Sequence, residues 1–273
     1  MKKNLLTKLS VLALVGLMTF TGCSKVPMLK EDLKAGDVYV STTSYNETSE
    51  EYNQEYKGGT SPYIFNTAAN YKTTTTVDGK DKEGNTDVSV KYHDYSINYS
   101  CPDSDYSEFI AQCNQESIEE SKEINSLTET VKGKIDDNGI LFEKKPIPKL
   151  EGNESFVTSN LNFLGGAGKL GLVKEGETWE AYETFTCANN ETLDVTYKMN
   201  CTKIDDNKIY VTGVGKASKN GTTYDGKLTM EFSKENVLVS KYTVDLTLVQ
   251  PGDASNEKIS FKMHEVTETT KKK

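Results

Sequence analysis

The sequence has no arginine, only two histidines and one tryptophan, and no long apolar run beyond residue 23. All 32 basic residues are lysines, against 41 acidic residues, and the formal net charge is −9. Proteins that bind phosphate backbones use clustered cations, usually with arginine forks, which an acidic chain without arginine does not supply. The composition therefore argues against nucleic acid as a partner.

Signatures of catalysis and of cofactor binding are also missing. The glycines of 166–171 fit the dinucleotide pattern G-x-G-x-x-G, but no helical pattern follows them. There is no G-x-S-x-G, and His93 and His264 fall on the polar phases of their strands. No Cys-x-x-Cys spacing occurs, and neither histidine is near a cysteine in sequence. We therefore predict a non-catalytic protein with no metal site and no cofactor.

The first 22 residues predict a signal peptide. A lysine-containing start, MKKNLLTKLS, runs into the apolar stretch VLALVGLMTF at 11–20, which is too short to cross a bilayer as a helix. The stretch ends Phe20-Thr21-Gly22-Cys23, and this ending resembles the lipobox of bacterial lipoproteins. The resemblance implies cleavage after Gly22 and lipid attached to Cys23, including palmitate. An ordinary cleavage site followed by a chance cysteine is the alternative interpretation.

Lipidation at Cys23 predicts where the chain is located. Two acyl chains are enough for stable anchoring, whereas a single chain binds a membrane only marginally. Residues 23–33 are polar and would form a lipidated tether. We therefore expect the folded part at the extracytoplasmic face of the cell membrane, with the membrane as a partner through the lipid anchor.

Four cysteines remain: Cys101, Cys113, Cys187 and Cys201. An even number of cysteines in an exported chain predicts disulfides. Sequence proximity favours Cys101 with Cys113 and Cys187 with Cys201, although four cysteines allow three pairings. The second pair requires residues 186–192 to form a loop, because in a plain hairpin Cys187 would be out of bonding range of Cys201.

Period-two alternation dominates the second half of the chain. In 193–201, apolar residues occupy the odd positions and polar residues the even ones, as in a strand buried on one face. Similar patterns occur at 208–214, 224–232, 237–249 and 259–263, with turn residues between them. Polar partners at every second position favour an antiparallel sheet that is solvated on one side. The fold class predicted is mainly β, as a strongly curved antiparallel sheet or half-barrel.

The first half continues this pattern with interruptions. Apolar residues switch phase between Tyr92 and Tyr95, which predicts a bulge near Asp94. Residues 128–142 read as a hairpin. The pattern over 104–124 predicts one helix, with Asp105 and Glu108 as a capping box. Residues 41–62 are polar enough to predict a long mobile loop.

The predicted organisation has two β-rich halves. After the signal peptide and tether, an N-terminal half spans 34–145, a Pro/Gly linker 146–172, a C-terminal half 173–267 and a polar tail 268–273. The phrases at 34–39 and 174–179 share the pattern Lys-x-Gly-acid-x-aromatic, and each precedes a strand-rich stretch. They indicate an internal duplication, with chance similarity of two glycine turns as the alternative.

In its overall pattern the mature chain resembles the bacterial lipid-carrier lipoproteins, although no motif is shared. That resemblance implies a bent sheet that cups a lipid or a hydrophobic small molecule, with helices at the mouth of the cavity. The expected cavity residues lie on two strands, under the predicted helix: Leu193, Val195, Tyr197, Met199, Tyr242, Val244, Leu246 and Leu248. The alternative is a surface module with a solid core that binds a glycan, a peptide or a partner protein. The sequence does not identify a protein partner.

Overall fold

The computed structural model describes residues 18–19, 33–52, 62–126, 128, 130–136, 139–142, 174–186, 192–233, 239–251 and 258–272. Within these residues the chain forms one open antiparallel sheet and one α-helix, which confirms the predicted fold class. The strands are β1 (Met18–Thr19), β2 (Val38–Tyr52), β3 (Tyr63–Lys80), β4 (Thr86–Ser100), β5 (Val131–Asp136), β6 (Gly139–Phe142), β7 (Thr178–Thr186), β8 (Thr192–Ile204), β9 (Lys208–Lys219), β10 (Thr222–Ser233), β11 (Val239–Pro251) and β12 (Lys258–Lys271). The helix is α1 (Ser107–Ser126).

Two meanders share this sheet and meet at a central seam. The strand order is β1-β7-β8-β9-β10-β11-β12-β2-β3-β4-β5-β6, so the sheet has two separate edges and is not closed into a barrel. The seam is the β12–β2 pair, which runs from Lys258 opposite Tyr52 to Lys271 opposite Tyr39. The two sequence halves are therefore parts of one continuous sheet. β1 consists of two residues of the predicted signal peptide and pairs with β7.

The two similar segments, 34–39 and 174–179, occupy equivalent places, one at the start of each meander. Gly36 has a φ of 90° and Gly176 a φ of 83°, in the left-handed region that favours glycine. The amide of Gly36 donates to the carbonyl of Val77 at 2.8 Å, and the amide of Gly176 donates to the carbonyl of Cys201, also at 2.8 Å. In both halves the register of strand pairing shifts directly after the residue that supplies this carbonyl: after Val77 in the β3–β4 pair and after Cys201 in the β8–β9 pair.

The turns that follow also match. The Oδ1 of Asp81 accepts from the amides of Glu83 and Asn85, and the Oδ1 of Asp205 accepts from the amides of Asn207 and Lys208. Asp81 and Asp205 each stand four residues after the carbonyl residue of the first turn. Turn, bulge and aspartate turn therefore recur in the same order, as an internal duplication predicts.

The helix packs on β4 and covers the part of this strand's edge along which β5 does not pair. β5 pairs with β4 only over Thr86–Val90. Further along, the side chain of Asn114 accepts from the amide of Tyr99 at 2.7 Å and donates to its carbonyl at 2.9 Å, and Asn125 does the same for Tyr95. Two asparagine amides thus take the place of a neighbouring strand.

The predicted start and placement of the helix need correction. A 3-10 turn, Ser104–Tyr106, precedes α1, and its N-cap is Asp103, whose carboxylate accepts from the amide of Asp105. Asp105 and Glu108 therefore do not form the predicted capping box. The expectation that the helix lies over β8 and β11 is also wrong, because its main contacts are with β4, several strands away.

Two segments predicted to be irregular are strands. Residues 41–52 belong to β2, a central strand, rather than to a mobile loop; residues 53–61 lie outside the described residues. The predicted polar tail from 268 is mostly strand, since β12 continues to Lys271. The Nζ of Lys271 lies 2.7 Å from the carboxylate of Asp37 and over the ring of Tyr39, which fixes the end of the strand. The predicted linker, 146–172, lies outside the described residues.

Candidate functional site

The residues predicted to line a cavity are all buried on one face of the sheet. Leu193, Val195, Tyr197 and Met199 come from β8, and Tyr242, Val244, Leu246 and Leu248 come from β11. The strands β9 and β10 lie between them and add Val211, Leu228 and Met230 to the same buried face. The four strands therefore form an apolar half of this face.

Part of the apolar half is filled by the chain's own aromatic rings. A Cβ on Gly215 would lie 2.8 Å from the ring of Tyr197, and a Cβ on Gly226 would lie 2.6 Å from the hydroxyl of Tyr224. The two tyrosine hydroxyls are hydrogen-bonded to each other. The glycines thus allow these rings to lie against the backbone of β9 and β10, where any larger residue would displace them.

The same buried face becomes polar at the seam. On β2, alternate residues from Ser41 to Ser49 point to this face, and every one of them carries a hydroxyl or a carboxyl group. The hydroxyls of Ser41 and Thr269 lie 2.8 Å apart, and those of Thr43 and Thr267 lie 2.9 Å apart. Cross-strand hydroxyl pairs of this kind stabilise a sheet while they keep its buried surface polar.

Two buried carboxyl groups lie at this polar seam, where Met263 and Phe261 of β12 are also buried on the same face. Glu47 of β2 is 8% exposed and Glu265 of β12 is 3% exposed. Burial raises the pKa of Glu47 to about 7 and that of Glu265 to about 8, because an ionised carboxylate loses its hydration. The Tyr45 hydroxyl donates to Oε2 of Glu47 at 2.5 Å, and the Thr267 hydroxyl donates to Oε1 of Glu265 at 3.4 Å. We call Tyr45, Glu47 and Glu265 the acid cluster.

Tyrosines extend this polar region towards the helix. Burial, together with the carboxyl groups of Glu120 and Glu47, raises the pKa of Tyr99 to about 12. Glu120 lies on α1, where burial and the neighbouring Glu123 raise its own pKa. The hydroxyl of Tyr95, also buried between β4 and the helix, has no hydrogen-bond partner among the described residues. Ionisable groups therefore continue from the seam to the underside of α1.

This arrangement provides a surface with two chemical characters. Below their raised pKa values Glu47 and Glu265 are neutral carboxyl groups, which both donate and accept hydrogen bonds. The adjoining strands β11 and β10 present aliphatic side chains on the same face. Perturbed carboxyl groups beside an apolar surface are characteristic of ligand-binding and catalytic sites, although structural networks also contain them.

The sequence analysis did not identify the acid cluster. Glu47 falls within the segment predicted to be a loop, and Glu265 was one of 41 acidic residues. The spacing of a strand is present, since Ser41, Thr43, Tyr45, Glu47 and Ser49 stand at every second position and would share one face. An alternation of polar residues with other polar residues does not show by itself which face is buried.

The described cysteines are thiols, so the predicted disulfide between Cys101 and Cys113 is not formed. Both sulfur atoms lie near Tyr63 and contribute to the raised pKa of its hydroxyl. Cys201 is a buried thiol at the opposite end of the β7–β8 hairpin from the Thr186–Thr192 pair. The pairing is regular from Thr178 opposite Asn200 to Thr186 opposite Thr192, and residues 187–191, in the loop that the second predicted pair needs, lie outside the described residues. Cys187 lies outside the described residues, as does Cys23.

Among the described residues no helix is long and apolar enough to cross a membrane. No protein-family model matches the chain, and no curated protein matches it in sequence. A solved structure of lipovitellin, reported as a study of lipid–protein interactions, is similar over 88% of this chain with a TM-score of 0.49 and 10% identity. The chain spans 25% of the length of that structure. At this level of similarity no property of lipovitellin is transferred to this protein.

Proposed function

We propose that this chain is a non-catalytic, lipid-anchored protein of the extracytoplasmic face of the cell membrane that binds a lipid or hydrophobic small molecule on the buried face of its sheet. The observation that carries the binding proposal is the change from apolar to polar lining across neighbouring strands. β11 presents Val244 and Leu246, while β12 and β2 present Glu265 and Glu47. An amphipathic ligand has the matching distribution of groups.

The physical argument rests on the cost of the acid cluster. Burying two carboxyl groups is unfavourable unless they are well hydrogen-bonded, and core positions of this kind are usually apolar. Thr267 reaches Glu265 only at 3.4 Å, which is beyond the usual range for a hydroxyl donor. A ligand head group that donates hydrogen bonds would add a shorter one to Glu265, with its apolar part against β10 and β11.

The test of binding is an organic-solvent extraction of the purified protein, followed by mass spectrometry of the extract. We expect a lipid in stoichiometric amount, and competition of the delipidated protein for cis-parinaric acid. Leu246→Gln places an amide on the buried face and should weaken probe binding, whereas Val214→Gln on the exposed face should not. Circular dichroism checks that both variants are folded. An extract without lipid, together with no probe binding, would overturn the proposal.

Anchorage is tested separately through Cys23. The lipobox-like sequence supports the proposal that this cysteine carries the anchor. We expect radiolabelled palmitate to be incorporated into the wild-type protein and not into Cys23→Ala, which should leave the membrane fraction. A variant that fractionates like the parent would contradict anchorage but would leave the ligand-binding proposal unaffected.

A surface module with a solid core is the second candidate function. It is favoured by the way Tyr197 and Tyr224 occupy the space over Gly215 and Gly226. This packing fills part of the apolar half without any ligand. Lipid-free protein that shows no probe binding but retains a partner protein or peptide on its exposed face would support this second function.

A further inference from the structure

The carboxyl groups of the acid cluster are buried without a lysine beside them. Glu268, three residues after Glu265 on β12, lies on the exposed face, where its ion pair with Lys241 at 2.7 Å lowers the pKa of its carboxyl group. Among the described residues no lysine or histidine is buried, and none alters the pKa of Glu47 or Glu265. Within this part of the chain the two buried carboxyl groups therefore lack the cation that the exposed one has.

A third carboxyl group faces the same region from the helix. Glu120 of α1 is partly buried, and burial together with Glu123 raises the pKa of its carboxyl group. After burial, the negative charges of Glu120 and Glu47 both contribute to the raised pKa of the Tyr99 hydroxyl, so this hydroxyl is within reach of both carboxyl groups. Carboxyl groups from β12, β2 and α1 therefore follow one another along the buried face, with Glu47 in the middle.

A buried hydroxyl group without a partner indicates space for a ligand group in this region. Tyr95 of β4 is 3% exposed, and its hydroxyl forms no hydrogen bond within the described residues. Burial, followed by the charge of Glu120 and by Tyr99, raises the pKa of this hydroxyl, so it faces the side on which these two residues lie. A buried polar group without a partner is unfavourable, and a bound hydrogen-bond donor would provide one.

The charges of the region determine which head group fits it. An anionic head group would be repelled by the carboxyl groups as soon as they ionise, whereas a cation favours their ionised form. A primary ammonium group also has three N–H donors and no acceptor, which matches carboxylate oxygens and a hydroxyl that lacks a partner. An uncharged head group gains hydrogen bonds without the additional strength that charge gives them.

The strand register places aliphatic side chains directly beside the carboxyl groups. Glu265 stands opposite Val244 of β11, and Met263 stands opposite Leu246 of β11 on one side and opposite Glu47 of β2 on the other. Val244, Leu246 and Met263 are all buried. An alkyl chain that runs from the carboxyl groups towards β11 and β10 therefore remains on apolar surface.

We infer that the ligand is a cationic amphiphile, with a primary ammonium group at Glu47, between Glu265 and Glu120, and an alkyl chain along β11 and β10. The inference rests on the proposed function, because it names the class of hydrophobic molecule that the buried face binds. In the free protein the carboxyl groups hold protons, and binding of the ammonium group releases protons from them to the solvent.

The titratable groups on the neighbouring elements are Tyr242 of β11, Tyr71 of β3, Tyr95 and Tyr99 of β4, and Glu120 and Glu123 of α1. Burial raises the pKa of the hydroxyls of Tyr95 and Tyr99, as it does for Tyr45 within the acid cluster, so these three remain uncharged at pH 8.5. The change in charge between pH 5.5 and pH 8.5 therefore comes from the carboxyl groups.

Titration calorimetry on the delipidated full chain compares decylamine, decanol and decanoate, which have the same alkyl chain. At pH 8.5 we expect decylamine to bind about tenfold more tightly than decanol, as a hydrogen bond to a charged group implies, and decanoate to bind more weakly than decanol. Decyltrimethylammonium has the same charge without N–H donors and should bind less tightly than decylamine. At pH 5.5, where Glu47 and Glu265 hold their protons, the preference for decylamine over decanol should shrink.

Proton release and substitutions test the role of the carboxyl groups. Titrations at pH 7 in phosphate and in Tris, which differ in ionisation enthalpy, should show about one proton released for each decylamine bound. Glu47→Gln should remove the preference for decylamine over decanol at pH 8.5. Glu268→Gln, on the exposed face of β12, is the matched control and should bind like the wild type. Circular dichroism checks that both variants are folded.

The outcomes separate this inference from the proposed function. Decanol, decanoate or decyltrimethylammonium that binds as tightly as decylamine at pH 8.5 would overturn the inference and leave the proposed function intact. Binding of none of the four compounds would contradict the proposed function and the inference together.

Discussion

Glu265 lies directly opposite Tyr45 in the β12–β2 pair, and the hydroxyl of Tyr45 donates to Glu47 two residues further along β2. One tyrosine therefore lies between two buried carboxyl groups that belong to strands more than 200 residues apart in sequence. Both carboxyl groups raise the pKa of Tyr45 further, after the main effect of burial. We therefore expect the stability of the seam between the two meanders to depend on the protonation of this cluster.

We predict that stability falls as the pH rises through the neutral range. The folded protein keeps protons on Glu47 and Glu265 up to about pH 7 and pH 8, whereas the unfolded chain releases them near the ordinary glutamate pKa of 4.5. Between these limits the folded state binds more protons, so the free energy of unfolding decreases with pH. The shift at Glu47 corresponds to a loss on the order of 3 kcal/mol.

Urea unfolding at pH 5 and pH 9 measures this effect. Glu265→Gln and Glu47→Gln should each reduce the pH dependence and be more stable than the wild type at pH 9. Glu268→Gln is the control, because Glu268 lies on the exposed face of β12 and the pKa of its carboxyl is lowered by Lys241. A wild-type protein equally stable at both pH values would contradict the prediction.

We predict that the helix is attached to the sheet through its two asparagines. Asn114→Leu removes both hydrogen bonds to the backbone of Tyr99, and each unsatisfied group costs about 1–3 kcal/mol when buried. The variant should unfold at lower urea concentration, and the amide of Tyr99 should exchange faster with deuterium. Gln115→Leu, at an exposed position next in sequence, is the control and should leave this amide protected.

We predict that Gly215→Ala is more disruptive than its size suggests. The added methyl group would lie 2.8 Å from the ring of Tyr197, so the ring must move away from the sheet. Overpacking of this kind typically costs about 1–3 kcal/mol. Urea unfolding should show this loss of stability. In a double variant with Tyr197→Leu, the combined loss should be smaller than the sum of the losses of the two single variants. Val214→Ala, at the neighbouring exposed position, should have little effect.

We predict that the buried thiols react slowly in the native protein. Burial raises the pKa of both Cys113 and Cys201, which lowers the fraction of reactive thiolate. Alkylation without reductant should label both cysteines slowly when the protein is folded and rapidly in urea, as followed by peptide mass spectrometry. Failure of Cys101 and Cys113 to react in urea until a reductant is added would show that they form the disulfide predicted from the sequence.

The sequence predicted best those strands that have one apolar and one polar face. In β8 the alternation of Leu193, Val195, Tyr197 and Met199 gave both the strand and its buried side. The switch of phase after Tyr92 predicted the irregularity near Asp94, which has a φ of 53°, and the register shifts opposite it. In these places local hydrophobic pattern and final burial agree.

The acid cluster and the seam could not be predicted in the same way. Burial of Glu47 and Glu265 depends on which strands become neighbours, and β12 and β2 are brought together only by the complete sheet. The buried face of β2 carries Ser41, Thr43 and Glu47, so its pattern does not differ from that of a solvated segment. Cys101 and Cys113 are free thiols in the structure, and spacing in sequence alone does not decide whether two cysteines pair.

The position of the seam imposes an order on assembly. As the chain emerges from the ribosome, β2, β3 and β4 are available early, yet the partner of β2 on its other side is not made until residues 258–271 have been synthesised. Hydrogen-bonding groups along one edge of β2 therefore remain unpaired during most of translation. We expect chaperones to bind a nascent chain in this state. A chain truncated before β12 would expose the unpaired edge of β2, which favours aggregation.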